Sequence, residues 1–178
     1  ASSNSPICSG NTATVNAGTI SGGASPYTYS WNGGTYGTST SYTTSTLTSS
    51  YTVTLTVKDN NGCTALTTAP ITVNPRPTAT VSGGGEICNG DNSTFTITFT
   101  GVAPYSYTWS DGSHSTTATL NSGNSATITV TPSVRTTYTV TSVSDSRCGS
   151  GTTSGSAVVI VNPKPVLSSI SASPTTVC

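Results

Sequence analysis

Apolar and polar residues alternate in several short stretches of this 178-residue chain. In residues 51–57, Tyr, Val, Leu and Val occupy every second position, and Thr fills the positions between them. Residues 95–99 and 126–130 alternate in the same way, as do two Tyr-X-Tyr-X-Trp segments that end at Trp31 and Trp109. A period of two with one polar face predicts half-buried antiparallel strands. We therefore expect an all-β protein.

Turn-forming residues separate these stretches. Clusters of Gly, Asn, Ser and Pro stand at residues 32–34, 60–62 and 121–123, between the alternating segments. This punctuation predicts about seven short strands in each roughly 80-residue half of the chain. Many short strands with regular turns are typical of an antiparallel β-sandwich.

The two halves of the chain repeat the same landmarks in the same order. These are Ile-Cys-X-Gly, Pro-Tyr-X-Tyr-X-Trp, Tyr-Thr-Val-Thr, an Asp-to-Cys turn and Asn-Pro-X-Pro. Such self-similarity predicts tandem domains. We expect a first repeat over residues 1–76, a second over 77–164, and over 165–178 a linker with the start of a third. Because Cys178 stands where Cys8 and Cys88 stand, we expect the chain to be a segment of a longer array.

Alternation also predicts which side chains form the cores. Two facing sheets need inward residues from both, and a domain this small buries only a modest core. For the first repeat the expected core residues are Val15, Tyr29, Trp31, Leu47, Tyr51, Val53, Leu55 and Val57. For the second they are Phe95, Ile97, Tyr107, Trp109, Ile128, Val130, Tyr138 and Val140.

Five cysteines are an odd number for a disulfide framework. We expect one disulfide in each repeat, Cys8 with Cys63 and Cys88 with Cys148, each closing one end of its sandwich. Cys178 is then unpaired within this chain. Disulfides imply an oxidising compartment. Metal binding is the weaker alternative, because the chain has no Cys-X-X-Cys and a single His.

Proline-rich segments follow the last strand of each repeat. Residues 74–77 read Asn-Pro-Arg-Pro and residues 162–165 read Asn-Pro-Lys-Pro. Two prolines in four residues favour an extended, stiff connector. The array should therefore be a semi-rigid rod, although each segment also serves simply to end a strand.

Composition narrows the range of partners. Charged residues make up 6% of the chain and the formal net charge is zero. Five basic residues cannot form the patch that nucleic acid requires, so we expect no nucleic-acid partner. We also expect no membrane insertion, because the sequence has no run of about 18 apolar residues.

Catalytic groups are scarce. A Ser-His-Asp triad around His114 and Asp111 would lie on an exposed turn, and paired carboxylates fail because Glu86 is the single Glu. We therefore expect no enzyme and no required cofactor. The Asp-Asn-Asn-Gly segment at 59–62 offers oxygen ligands for Ca²⁺, but a hairpin turn explains it better. Asn92 begins one N-glycosylation sequon.

The motifs together resemble a known family of repeats. Ile-Cys-X-Gly, Pro-Tyr-X-Tyr-X-Trp, Tyr-X-Val-Thr, the Asp-to-Cys turn and Val-Asn-Pro-X-Pro are similar to the Ig-like and PKD-like repeats of very large Bacteroidota surface proteins. The resemblance covers essentially the whole chain. It implies export by type IX secretion, a cell-surface location in adhesins or gliding-associated proteins, and a stalk role in which other domains carry the specific activity.

The sequence is compatible with three candidate functions. The first is a structural, non-catalytic stalk segment of an extracellular adhesin or fibre, in contact with neighbouring repeats and presented to host or other cell surfaces. The second is a subunit of a self-assembling filament in which identical chains pair. The third is a carbohydrate-binding module that uses Tyr27, Tyr29, Trp31 and their counterparts to stack on glycans.

Overall fold

A computed structural model describes residues 1–170, so the position of Cys178 lies outside the described residues. The described chain is all-β, as the alternation predicts, and it forms two successive β-sandwiches. The strands of the first are β1 (Ser2–Ser3), β2 (Ile7–Cys8), β3 (Thr14–Asn16), β4 (Thr28–Trp31), β5 (Ser41–Thr43), β6 (Tyr51–Lys58), β7 (Thr64–Ile71) and β8 (Val73–Asn74).

The second sandwich contains longer strands. They are β9 (Thr78–Cys88), β10 (Ser93–Thr100), β11 (Tyr105–Ser110), β12 (Ser115–Leu120), β13 (Ser125–Val130), β14 (Thr136–Ser144), β15 (Thr152–Gly155) and β16 (Ala157–Asn162). Among residues 1–170, strands β1 to β8 pair only with one another, and so do β9 to β16. Residues 75–77 therefore connect two separate sets of sheets.

Strand β9 passes from one sheet of the second sandwich to the other. Its first half pairs with β10 and, in parallel, with β15, whereas residues 84–88 pair in parallel with β16. Gly83, Gly84 and Gly85 stand at the change of partner and all have a positive φ. A Cβ on Gly84 would collide with the backbone of Val158. Glycine is therefore needed here both for the backbone conformation and for the close approach of the two strands.

Each sandwich has its own hydrophobic core. In β10 the burial follows the sequence alternation, with Phe95, Ile97 and Phe99 buried and the intervening Thr residues more exposed. Phe95 stacks on Tyr138 and meets Trp109 edge-on. The smaller first core is built from residues in or directly before β2, β3, β6 and β7: Ile7, Ala13, Val15, Val53, Ala69 and Ile71, with Trp31, Tyr42, Leu47 and Val73 packed against them.

Tyr51 departs from the expected core. It is 42% exposed, although Val53 and Leu55 on the same face of β6 are buried. Alternation determines which face of a strand points inward, but not where the opposing sheet ends. Tyr51 lies at the first position of β6, beyond the edge of the packed region. Trp31, Trp109, Tyr29 and Val57 are half-buried, while Tyr107, Tyr138 and Val140 are buried.

The crossing of β9 gives a direct test of backbone fit. Gly84→Ala should destabilise the second sandwich by more than Gly112→Ala, which has a similar positive φ but open space around its Cα. Positive φ alone should cost about 1–2 kcal/mol in either variant. Gly84→Ala adds the collision with Val158, and urea unfolding followed by tryptophan fluorescence measures the difference. Equal losses would show that β9 does not approach β16 this closely.

Candidate functional site

The junction between the two sandwiches is the most elaborately built site in the described chain. Ile7–Cys8 pairs in parallel with Val73–Asn74, and this pairing places Cys8 beside the start of the linker. Pro77 is fully buried, and its carbonyl accepts a hydrogen bond from the amide of Thr152 at 3.0 Å. The linker thus leaves the first sandwich beside Cys8 and enters the second as part of its packed interior.

Arg76 holds both sides of the junction. Its Nε donates to the carbonyl of Ser9 at 2.8 Å and one terminal nitrogen donates to Asn11 Oδ1 at 3.2 Å, both in the first sandwich. The other terminal nitrogen donates to the carbonyl and the hydroxyl of Ser150 at 3.0 and 2.9 Å, in the second. A guanidinium suits this task because its donors form a rigid planar fork. Arg76 therefore connects the two sandwiches through hydrogen bonds to both of them.

A disulfide joins Cys8 to Cys148 across the same junction. The expected pairs Cys8–Cys63 and Cys88–Cys148 do not form, and this corrects the sequence prediction. Strand β7 begins directly after Cys63 and runs the length of the sandwich to the Val73–Asn74 pair beside Cys8. Eight residues of strand span roughly 26 Å, whereas bonded cysteines need Cα atoms within about 7 Å. In the observed bond the two Cα atoms are 5.9 Å apart.

The second repeat places its cysteines in the same way. Cys88 is in register with Asn162 at the C-terminal end of β16, away from the linker at residues 75–77. Cys148 lies at the opposite end of the sandwich, beside that linker. Opening and closing cysteines thus stand at opposite ends of each sandwich. Tandem connection brings the opening cysteine of one repeat to the closing cysteine of the next. Cys63 and Cys88 are exposed and have no disulfide partner among residues 1–170.

The Asp-to-Cys turns cap the backbone. Asp59 accepts from the amide of Cys63 at 2.8 Å through Oδ1 and from the amide of Ala24 at 3.0 Å through Oδ2. Asp145 does the same with Cys148 and Val102 in the second repeat. These carboxylates therefore hold a closing cysteine in place, and they connect that turn to the loop before Pro26 or Pro104.

Hydrogen bonds from backbone amides explain the lowered pKa of both Asp59 and Asp145. The amide of Ala24, followed by those of Cys63, Asn61 and Gly62, lowers the pKa of Asp59 against an opposing desolvation. Desolvation opposes a lower pKa for Asp145, but the amides of Cys148, Val102 and Arg147 outweigh it. A Ca²⁺ ion at residues 59–62 would need the carboxylate oxygens of Asp59 as ligands, but these oxygens already accept hydrogen bonds from backbone amides. Residues 1–170 contain no cluster of three His, Cys, Asp or Glu side chains suited to a metal ion.

The His114 region is a capped hairpin turn. Asp111 Oδ1 accepts from the amides of Ser113 and His114 at 2.8 and 2.6 Å, and His114 is 86% exposed. Ser110 Oγ donates to the carbonyl of His114 and not to its imidazole. The three groups therefore do not form a nucleophile–base–orienter relay.

The aromatic segments do not form an open stacking platform. Tyr105 and Tyr107 are 2% and 4% exposed, so their rings cannot lie against a sugar. Tyr27 is half-buried and donates its hydroxyl to the carbonyl of Gly22, and Trp31 Nε1 donates to the carbonyl of Ser39. Asn92 is exposed, and its side-chain oxygen accepts from the Thr131 hydroxyl at 2.7 Å. Over residues 1–170, no helix has the length and apolar character to span a bilayer.

Comparison with known proteins gives a coarse picture. No family model matches the chain, and no curated protein sequence matches it. The chain is similar to a titin I-band fragment, I67–I69, with 12% identity over 90% of this chain and 63% of that one, at a TM-score of 0.44. It is similar to a structure of a 1.5-MDa bacterial ice-binding adhesin with 21% identity over 86% and 58%, at a TM-score of 0.42.

Sidekick-1 immunoglobulin domains 1–5 are a further similar structure, with 15% identity over 89% of this chain and 36% of that one, at a TM-score of 0.39. The chain spans less than two thirds of the length of these three structures. All three TM-scores are below 0.5, so we base no functional assignment on these similarities.

Peptide mapping of the unreduced protein tests the junction. Proteolysis of alkylated, unreduced chain should release a peptide pair that links Cys8 to Cys148, and mass spectrometry identifies it. A Cys8–Cys63 pair would contradict the arrangement. Cys8→Ser should leave both sandwiches folded, because the bond crosses between two cores and closes neither.

Acid should weaken the Asp turns. Because the folded pKa of Asp145 lies below the ordinary Asp pKa of 3.8, the stabilisation by its carboxylate is fully present above that pH and is lost as the pH falls through the folded pKa. Asp145→Asn should cost about 2 kcal/mol near neutral pH through its backbone hydrogen bonds. It should also flatten the fall in melting temperature below about pH 4. Asp91→Asn, which removes only an exposed ion pair with Lys164, is the control. An unchanged acid profile in Asp145→Asn would contradict the capping role.

Proposed function

We propose that this chain is a structural, non-catalytic stalk segment of an extracellular surface adhesin or fibre. Its units are the repeats over residues 1–76 and 77–164, followed by a linker and the start of a third repeat over 165–178. The observation that carries the proposal is the junction. A disulfide, the Arg76 hydrogen bonds and the buried Pro77 all serve to hold one sandwich on the next.

The chemistry of the junction suits a load-bearing connector. Inter-domain linkers usually allow relative motion unless the interface is large and apolar. Here the Cys8–Cys148 disulfide and the hydrogen bonds of the Arg76 guanidinium to both sandwiches hold the junction. A large apolar interface is therefore not needed for stiffness. The low charge of the chain and its Thr-rich outer faces give a neutral surface between the ends.

The disulfide indicates an oxidising compartment. The Cys8–Cys148 bond persists where thiols are not kept reduced, so an extracellular or cell-surface location fits it. We include in the proposal the origin that the motifs suggest, a large Bacteroidota surface protein exported by type IX secretion, and glycosylation at Asn92. The partners of the stalk are its neighbouring repeats, whereas binding to glycans or host surfaces would belong to other domains.

Glycan binding is disfavoured by the burial of Tyr105 and Tyr107. On a glycan array, the full chain should show no binding that depends on Tyr27. Tyr27→Ala should therefore leave the array signal unchanged. Binding that Tyr27→Ala removes would support the carbohydrate-binding alternative and contradict a passive stalk.

Stiffness is the property to measure. Cys8→Ser combined with Arg76→Ala should broaden the distribution of distances between spin labels placed one on each sandwich, while circular dichroism stays unchanged. Arg135→Ala in the Cys8→Ser background is the matched control, because Arg135 is exposed and away from the junction. A distribution as narrow as that of the unsubstituted chain would show that neither contact sets the angle between sandwiches.

A further inference from the structure

The junction disulfide closes a very large loop. Cys8 and Cys148 are 140 residues apart in sequence, and their Cα atoms are 5.9 Å apart in the structure. The enclosed residues, 9–147, would span up to about 490 Å if they were fully extended. They include strands β3 to β14, the linker and most residues of both hydrophobic cores. A pull applied from outside the loop therefore meets a covalent route that leaves most of both sandwiches out.

In the first sandwich this route follows only residues 1–8. These residues contain β1 and β2, and Ile7–Cys8 pairs in parallel with Val73–Asn74 at the junction. Without the disulfide, a pull that arrives at Cys8 has two other routes to the linker. It can follow the chain through the rest of the sandwich, or it can cross the short pairing of β2 with β8. The disulfide transfers the pull directly to the second sandwich.

In the second sandwich the route continues along residues 149–162. Both β15 and β16 pair in parallel with β9, and the register is the same for both: Thr152 faces Thr78, and Asn162 faces Cys88. The hydrogen bonds of a parallel pair are evenly spaced and run from strand to strand. A pull along residues 149–162 is therefore shared among these hydrogen bonds. The segment spans the sandwich from the junction at Cys148 to the opposite end at Asn162.

The second sandwich also protects its half of the disulfide. Cys148 is 1% exposed, and its amide donates to Asp145 Oδ1. A few residues further on, the amide of Thr152 donates to the carbonyl of Pro77 at 3.0 Å. Thiol exchange requires attack of a thiolate on a sulfur. Burial of Cys148 therefore hinders reduction of the disulfide from this side, as a permanent connection requires.

We propose that the Cys8–Cys148 disulfide is a tension bypass. Tension that enters ahead of Cys8 and leaves beyond Cys148 passes through the disulfide, and residues 9–147 form a closed loop that this tension cannot extend. If either core opens, the chain lengthens only by the residues outside the loop. The disulfide thereby limits the extension of the molecule, whatever the stability of the two cores.

The bypass deepens the proposed stalk function and rests on it for the source of the tension, because a stalk is pulled along its length. Stiffness depends on the angle between the sandwiches, whereas the bypass concerns extension and depends on the disulfide alone. Arg76→Ala with both cysteines intact separates the two. It removes the hydrogen bonds from Arg76 to Ser9 and Ser150, and it should leave the limit of extension unchanged. A flexible junction with a bypass and a stiff junction without one are therefore distinguishable results.

Single-molecule stretching of the full chain, held by peptide tags at its two ends, tests the bypass. All 178 residues extend to about 620 Å, whereas residues 1–8 and 148–178 extend to about 140 Å. The background is Cys63→Ser with Cys178→Ser, which removes competing thiols. In it the chain should stop at about 140 Å, and Cys8→Ser should extend about fourfold further. Cys88→Ser is the matched control, because Cys88 is the opening cysteine of the second repeat and has no disulfide partner among residues 1–170.

Stretching in guanidinium chloride makes the result independent of how well each variant folds. The Cys88→Ser chain should keep its limit of about 140 Å with both cores unfolded, and Cys8→Ser should have no such limit. Extension of the Cys88→Ser chain beyond this limit would overturn the bypass. In buffer, Cys8→Ser should lengthen under tension as the sandwiches open. A Cys8→Ser chain that stays as short as Cys88→Ser at every tension would show that the cores resist tension unaided, and this would also overturn the bypass.

Discussion

The bond between Cys8 and Cys148 depends on where the ends of the strands lie. Each repeat opens with a cysteine at the end from which the next linker departs, and it closes with one at the end that receives the previous linker. A strand the length of the sandwich separates the two, so no pairing within a repeat is possible. The observed disulfide therefore joins two successive repeats.

The other contacts at the junction also join the two repeats. Pro77 is buried in the second sandwich, where a Cβ on Gly151 or Gly101 would meet it closely, so the linker is part of a core and is not a free tether. Arg76 then spans from Ser9 to Ser150 across the boundary. Each sandwich also has a hydrophobic core of its own. Stability within a repeat and orientation between repeats are thus supplied by different interactions.

Three of the five acidic side chains of this chain serve the backbone. Asp59, Asp111 and Asp145 all accept hydrogen bonds from amides in tight turns, and the resulting lower pKa reflects a structural role. A perturbed carboxylate often marks a catalytic site, but here each one holds a turn that orients a cysteine or a hairpin.

The sequence by itself determined the all-β class, the twofold repetition and most core positions, because strand alternation and turn residues act locally. Val53, Leu55, Phe95 and Ile97 are buried as the pattern predicts. Only the tertiary structure decided which cysteines meet, because that depends on which ends of the strands coincide, and periodicity carries no information about ends. The exposure of Tyr51 has the same cause.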